Sequence, residues 1–135
     1  MSVAVAHQVS TTARLILQEA ANEARLRQTS MSVIHIAEGV DIDMIEEQKV
    51  NLRAEIADVL GEAKLTDVEW TLHVATGVDV AQTVLDLVAD TDVELLVIGA
   101  RHRSAAGKLI MGSVTQTIIL RAEVPVLVVK APART

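Results

Sequence analysis

From Leu95 to Ala122 the chain has no acidic residue, yet Arg101, Arg103, Lys108 and Arg121 all fall there, giving +4 inside a protein of formal charge −6. Gly99 and Gly112 bracket a connection of about 14 residues, where a strand-to-helix loop ordinarily needs 2–6. Cationic side chains, glycines that let a backbone approach closely and a following helix start together suit a phosphate group. The same residues also fit a solvated basic loop in which Ser113 caps its helix and Gln116 completes a capping box. Two named phosphate motifs are absent. Gly107-Lys108 is followed by Leu109 and stands at the wrong distance from Gly99 for a Walker loop, and Ala6-His7-Gln8-Val9 after the first strand is not a dinucleotide fingerprint.

His7, His35, His73 and His102 fall near predicted strand ends, without metal-ligand spacing. His35 reads as a histidine among apolar strand neighbours, and His73 shares a polar strand face with Glu69 and Thr71. His7 and His102 are expected to face one cleft, where their protonated forms would favour an anion. No Ser-His-Asp order, carboxylate pair or metal triad converges on the basic stretch, so catalysis is not expected. Asp41, Asp43, Glu46 and Glu47 read as a charged helix start. The first strand lacks the acidic end of a phosphate-accepting receiver domain.

The whole composition narrows the classes further. The chain has 135 residues, half of them hydrophobic, with no Cys, so thiolate zinc, iron–sulfur and thiol chemistry are excluded. Trp70 is the single aromatic residue, which rules out base-stacking platforms, and the acidic balance disfavours nucleic acid and anionic membrane as partners. No apolar run approaches the ~18 residues of a membrane span, and Met1–Ser10 lacks a signal-peptide pattern, so the expected setting is cytoplasmic.

Positioning this stretch requires alternating elements, and the apolar period switches repeatedly between strand-like and helix-like runs. That predicts one α/β domain over 1–135 with five strands and four helices around a parallel sheet. The strands are Val3–Ala6, Met31–Ala37, Val68–Val74, Leu95–Ile98 and Val126–Val129. The first helix follows Ser10 or Thr11 as N-cap, the second runs from Asp43 to a stop at Gly61, the third centres on Val80–Val88 and the fourth spans Ser113–Arg121. Alternation in Val68–Val74 marks a half-exposed edge strand, whereas the continuous runs Leu95–Ile98 and Val126–Val129 read as strands covered on both faces.

Val97-Ile98-Gly99-Ala100-Arg101-His102-Arg103-Ser104, Met111-Gly112-Ser113-Val114-Thr115 and Pro125-Val126-Leu127-Val128-Val129-Lys130 resemble the C-terminal signature of the universal stress protein family. The family pattern G-x2-G-x9-G-[ST] is met by Gly99, Gly112 and Ser113, with His102 in place of the middle glycine. The resemblance implies a three-layer, Rossmann-like fold of the adenine nucleotide alpha hydrolase-like kind, with sheet order 3-2-1-4-5. It implies ATP or another adenine nucleotide as ligand. The backbone of Ile36 would contact adenine, Gly99 and His102 would line the phosphate loop, and Gly112, Ser113, Val114 and Thr115 would bind phosphate oxygens. Arg101 and Arg103 join that set on charge alone. ATP-binding members carry an Asp where this chain has His7, so a carboxylate for Mg2+ is missing at that place. The family also implies a homodimer paired through the last strand, here Val126 to Lys130. The alternative is a homodimeric stress or interaction module that binds no nucleotide, motivated by His7 and His102. Slow nucleotide hydrolysis lacks a nameable water-activating group.

Overall fold

Uninterrupted aliphatic strands need apolar cover on both faces, and helices on each side of the sheet supply it. A computed structural model of the chain describes residues 1–8, 10, 12–37, 42–100, 102–103 and 109–130. The elements are β1 (Ser2–His7), α1 (Ala13–Leu26), β2 (Ser30–Ala37), α2 (Ile42–Glu62), β3 (Trp70–Thr76), α3 (Val80–Asp90) and β4 (Val93–Gly99). They continue with β5 (His102–Arg103), β6 (Leu109–Ile110), α4 (Ser113–Arg121) and β7 (Val126–Val129). Five strands form a parallel sheet in the order β3-β2-β1-β4-β7, which is the expected 3-2-1-4-5 order with β7 as the fifth long strand.

The period of two along each strand sorts side chains into two apolar layers. Val3, Val5, Met31, Val33, Leu95 and Val97 face α1 and α2, where they meet Leu17, Ala20 and Ile56. Ala4, Ile34, Leu96 and Ile98 face the other way, against Val84 and Val88 of α3 and Ile118 of α4. Fully burying each large aliphatic side chain is worth about 1.5–3 kcal/mol, so the paired layers hold the sheet centre rigidly. β3 is the edge that its alternation foretold, with Thr71 and His73 exposed and Trp70 and Leu72 packed inward.

Several local expectations are corrected. Strand pairing begins at Trp70, opposite Met31, instead of Val68, because Val68 is buried in the preceding turn with its N–H donating to the Leu65 carbonyl. Helix α2 passes through Gly61, and the left-handed residue at its end is Lys64, with φ 57°. Buried Leu65 fixes that stop by donating its N–H to the Leu60 carbonyl at 2.8 Å, so the apolar contact outweighs the glycine preference. The N-cap of α1 is Thr12, neither Ser10 nor Thr11, and Thr11 lies outside the described residues. The long connection after β4 is not wholly loop: His102 pairs with Ile110 and Arg103 with Leu109 in a short antiparallel ladder.

Candidate functional site

Strand order reverses between β1 and β4, because the chain builds outward through β2 and β3 and then returns to the other side of β1. Carboxyl ends of parallel strands at such a reversal splay apart and leave a crevice. A cleft of about 160 Å³ lies there. Ala6 and Gln8 form one wall, Ile98, Gly99 and Ala100 the other, and the starts of α1 and α4 close it through Thr12, Ile16, Val114 and Thr115. A larger groove, about 620 Å³, opens at the other end of the sheet around Asp92, Val93, Glu123 and Val124. It sits at the amino ends of β4 and β7, where no strand reversal gathers loops and helix starts, so size alone does not make it the site.

Helix α4 begins at the cleft with Gly112 as N-cap, in extended backbone (φ −70°, ψ 165°), and among the described residues no side chain caps it. The N–H groups of Ser113, Val114 and Thr115 therefore have no intrahelical acceptor, and Gln116 is the first to bond back, to the Gly112 carbonyl at 3.1 Å. The capping box read from Ser113 and Gln116 does not form. Ser113 is already the first helical residue, and the Gln116 amide instead donates to the Met111 carbonyl at 3.1 Å. Buried Thr115 uses its hydroxyl to donate to the Gly99 carbonyl at 3.1 Å, which ties the helix start to the end of β4. Gly99 packs against α1: a Cβ there would meet Cδ1 of Ile16 at 2.3 Å, so a larger residue must displace the tip of that side chain.

The predicted residues thus divide. Gly99, Val114 and Thr115 line the cleft, and Gly112 and Ser113 stand at the helix start beside it. Ile36 is half-buried, one position past the His7–His35 pair on β2, with its side chain among the apolar residues facing α3 and α4. His102 and Arg103 are described as backbone in β5, while Arg101 and Lys108 lie outside the described residues. Arg121 does not belong with the basic stretch. It ends the nine-residue α4, roughly 12–14 Å from the helix start at 1.5 Å per residue, and donates to Gln82 Oε1 at 3.2 Å beside the far groove.

His7 also departs from expectation, because its side chain points away from the cleft into the α1–α2 layer. Register pairs His7 with His35, and odd positions of β1 face that layer. Their Nδ1 atoms are 3.1 Å apart, His35 Nδ1 is 3.3 Å from the His7 carbonyl, and His7 Nε2 is 3.5 Å from Oε2 of Glu55 on α2. Both residues are buried, His7 4% and His35 9% exposed. Burial holds both imidazoles below the usual histidine range, with the Glu55 carboxylate opposing the shift in each. Sequence reasoning had no signal for this pair, since 28 residues separate its members and only strand register joins them. Among the described residues no group of three or more His, Cys, Asp or Glu could hold a metal ion, and no helix is long and apolar enough to cross a membrane.

Comparison with known proteins agrees with this architecture. The universal stress protein family pattern matches residues 1–130. The chain is 32% identical to a universal stress protein of Mycolicibacterium smegmatis over 128 residues, which is 95% of this chain and 96% of that one. It is similar to the structure of a universal stress protein from Archaeoglobus fulgidus, with TM-score 0.74, 31% identity, and coverage of 95% of this chain and 97% of that one. A structure of the universal stress protein from the same organism in complex with dAMP matches with TM-score 0.74 at 27% identity, covering 95% and 96%.

Proposed function

The chain belongs to the universal stress protein family, and from that membership we propose that it is a single-domain regulatory protein that binds an adenine nucleotide in the β1–β4 cleft. The observation that carries this reading is the uncapped start of α4 at the strand reversal, where three backbone N–H groups and the helix dipole offer a phosphate its ligands. The relative in complex with dAMP supports the ligand class. In this reading Gly112, Ser113, Val114 and Thr115 hold phosphate oxygens through their backbone. Thr115 contributes its N–H alone, its hydroxyl being committed to Gly99. Gly99 and His102 flank the phosphates, Arg101 and Arg103 supply positive charge, and the backbone of Ile36 meets adenine. His7, turned away and lacking a carboxylate, supplies no ligand for Mg2+ in the cleft. A second copy pairs along the outer edge of β7, extended to Lys130, whose half-buried Val126–Val129 row ends the sheet without a neighbour among the described strands.

One observation favours the second reading, an interaction module without nucleotide. At about 160 Å³ the cleft is smaller than the roughly 300–1,000 Å³ usual for small-molecule sites. Thermal unfolding with ATP, ADP, AMP and cyclic AMP, each with and without Mg2+, decides between them. A ligand specific to the folded state stabilises by about 2.7 kcal/mol at a hundredfold excess over its Kd. A shift with an adenine nucleotide is the expected result, and no shift with any of them would leave the interaction module. Sedimentation equilibrium at micromolar concentration reads the dimer separately, and a monomer would overturn the β7 pairing.

A further inference from the structure

His7 lies between two residues of the cleft wall, Ala6 and Gln8, yet its side chain reaches His35 and Glu55 on the other face of the sheet. The bonding geometry assigns the protons. A carboxylate beside His7 Nε2 favours the tautomer that carries hydrogen there, which leaves His7 Nδ1 as an acceptor. His35 Nδ1–H then donates to His7 Nδ1 at 3.1 Å, and the uncommitted lone pair of the pair is on His35 Nε2. His35 therefore donates to His7, and the buried His7 Nε2, which has no hydrogen-bond partner, faces the Glu55 carboxylate at 3.5 Å. A proton arriving from solvent bonds to His35 Nε2 without breaking any link, whereas one on His7 Nδ1 would set two N–H groups head to head.

We propose that the His35–His7–Glu55 chain is a one-proton relay beneath the cleft, whose protonation places a positive charge behind the Ala6–Gln8 wall and tightens the binding of an anionic ligand. The charged and titratable groups on the elements around the pair are otherwise engaged or face away from it. On α1, Arg14 is held by Asp58 (3.0 Å) and Glu62 (2.5 Å) of α2. On β3, apolar Val74 pairs with His35, and β4 presents Val97 and Gly99 on this face; His73 is on the opposite face, against Thr71. Among the described residues Glu55, half-buried, is thus the single carboxylate directed at the pair, so a proton gained there makes the group more positive by one unit. Burial keeps the unliganded pair neutral at neutral pH, and a bound phosphate favours the charged form, so proton and ligand bind cooperatively.

The affinity half of this inference rests on the nucleotide reading, and the relay half does not. Cyclic AMP is the probe, because its phosphodiester keeps one negative charge throughout pH 5–8. Calorimetry is expected to give binding about fivefold or more tighter at pH 5.5 than at 7.5 for the parent. The gradient should vanish in His35→Asn, whose amide retains a donor toward His7 but does not titrate. A parent without the gradient, or a variant that keeps it, overturns the proposal. In the unliganded parent, NMR should give the His7 and His35 rings one common transition, followed by the backbone amides of Gln8 and Thr12. Independent ring transitions, or cleft amides that stay still, overturn the relay whether or not the variant folds. Absence of cyclic AMP binding at both pH values overturns the ligand reading and the affinity half with it, while the NMR outcome judges the relay alone.

Discussion

Helices α3 and α4 pack against each other on one face of the sheet, yet they begin in opposite ways. Helix α3 satisfies itself: the Asp79 side chain accepts from the Gln82 N–H at 3.1 Å, and the Thr83 hydroxyl donates to the Asp79 carbonyl at 2.8 Å. Helix α4 starts at Gly112 with no side-chain cap, and α1, on the opposite wall of the cleft, starts at Thr12 with none either. Helix α3 thus closes one of its first donors with its own N-cap side chain, whereas α1 meets its first N–H with the Ser10 carbonyl at 3.3 Å and α4 has Gly112, which carries no side chain, at the capping place. With Gly at the capping place, α4 forgoes a few tenths of a kcal/mol of capping energy, and a ligand that accepts from its first N–H groups restores it.

The largest test of this contrast gives α4 the cap that α3 has. Gly112→Asp, in backbone that any residue adopts, should add a few tenths of a kcal/mol to intrinsic stability. It should also abolish the nucleotide-induced stabilisation, about 2.7 kcal/mol at a hundredfold excess over Kd, because its carboxylate takes the donors and repels phosphate. Thermal scans with and without nucleotide read both effects, and unchanged binding would remove the α4 start from the site. The reverse experiment opens α3. Asp79→Ala should lower the unfolding free energy by about 1 kcal/mol in urea titrations while leaving any nucleotide response intact. The smallest effect is expected at Ser113→Ala, within about 0.5 kcal/mol in the same titration, because Gly112 occupies the capping position. A loss near that of Asp79→Ala would restore the capping box and erase the contrast.

Much of this frame was legible in the residues. Alternation in Val68–Val74 marked β3 as an edge, the continuous run Leu95–Ile98 marked β4 as interior, and the Gly99–Gly112 spacing marked the connection that ends at the cleft, whereas the equally continuous Val126–Val129, read as covered on both faces, is half-buried at the other edge of the sheet. Local competition hid the rest. Gly61 carries the usual helix-stop signal, but the stop falls where Leu65 can be buried; Val68 fits a strand pattern, but its N–H is already taken by Leu65. The count of four positive charges treated Arg121 as a neighbour of Arg101, and a rigid helix then carried it to the other end of the sheet.

The sequence by itself determined the period of each element, the family pattern and the acid-free stretch, because each depends on residues a few positions apart in the chain. Tertiary structure alone decided which face His7 uses and which partner it meets. Parallel register sets His7 opposite His35, and a slip of one residue would turn both rings to the other face. It also decided that Gln116 serves Met111 and leaves the start of α4 open, since that choice depends on how the helix docks against β4 through Thr115 and Gly99. Burial and register are non-local quantities, fixed when 28-residue separations close into contact, and no window of neighbouring residues contains them.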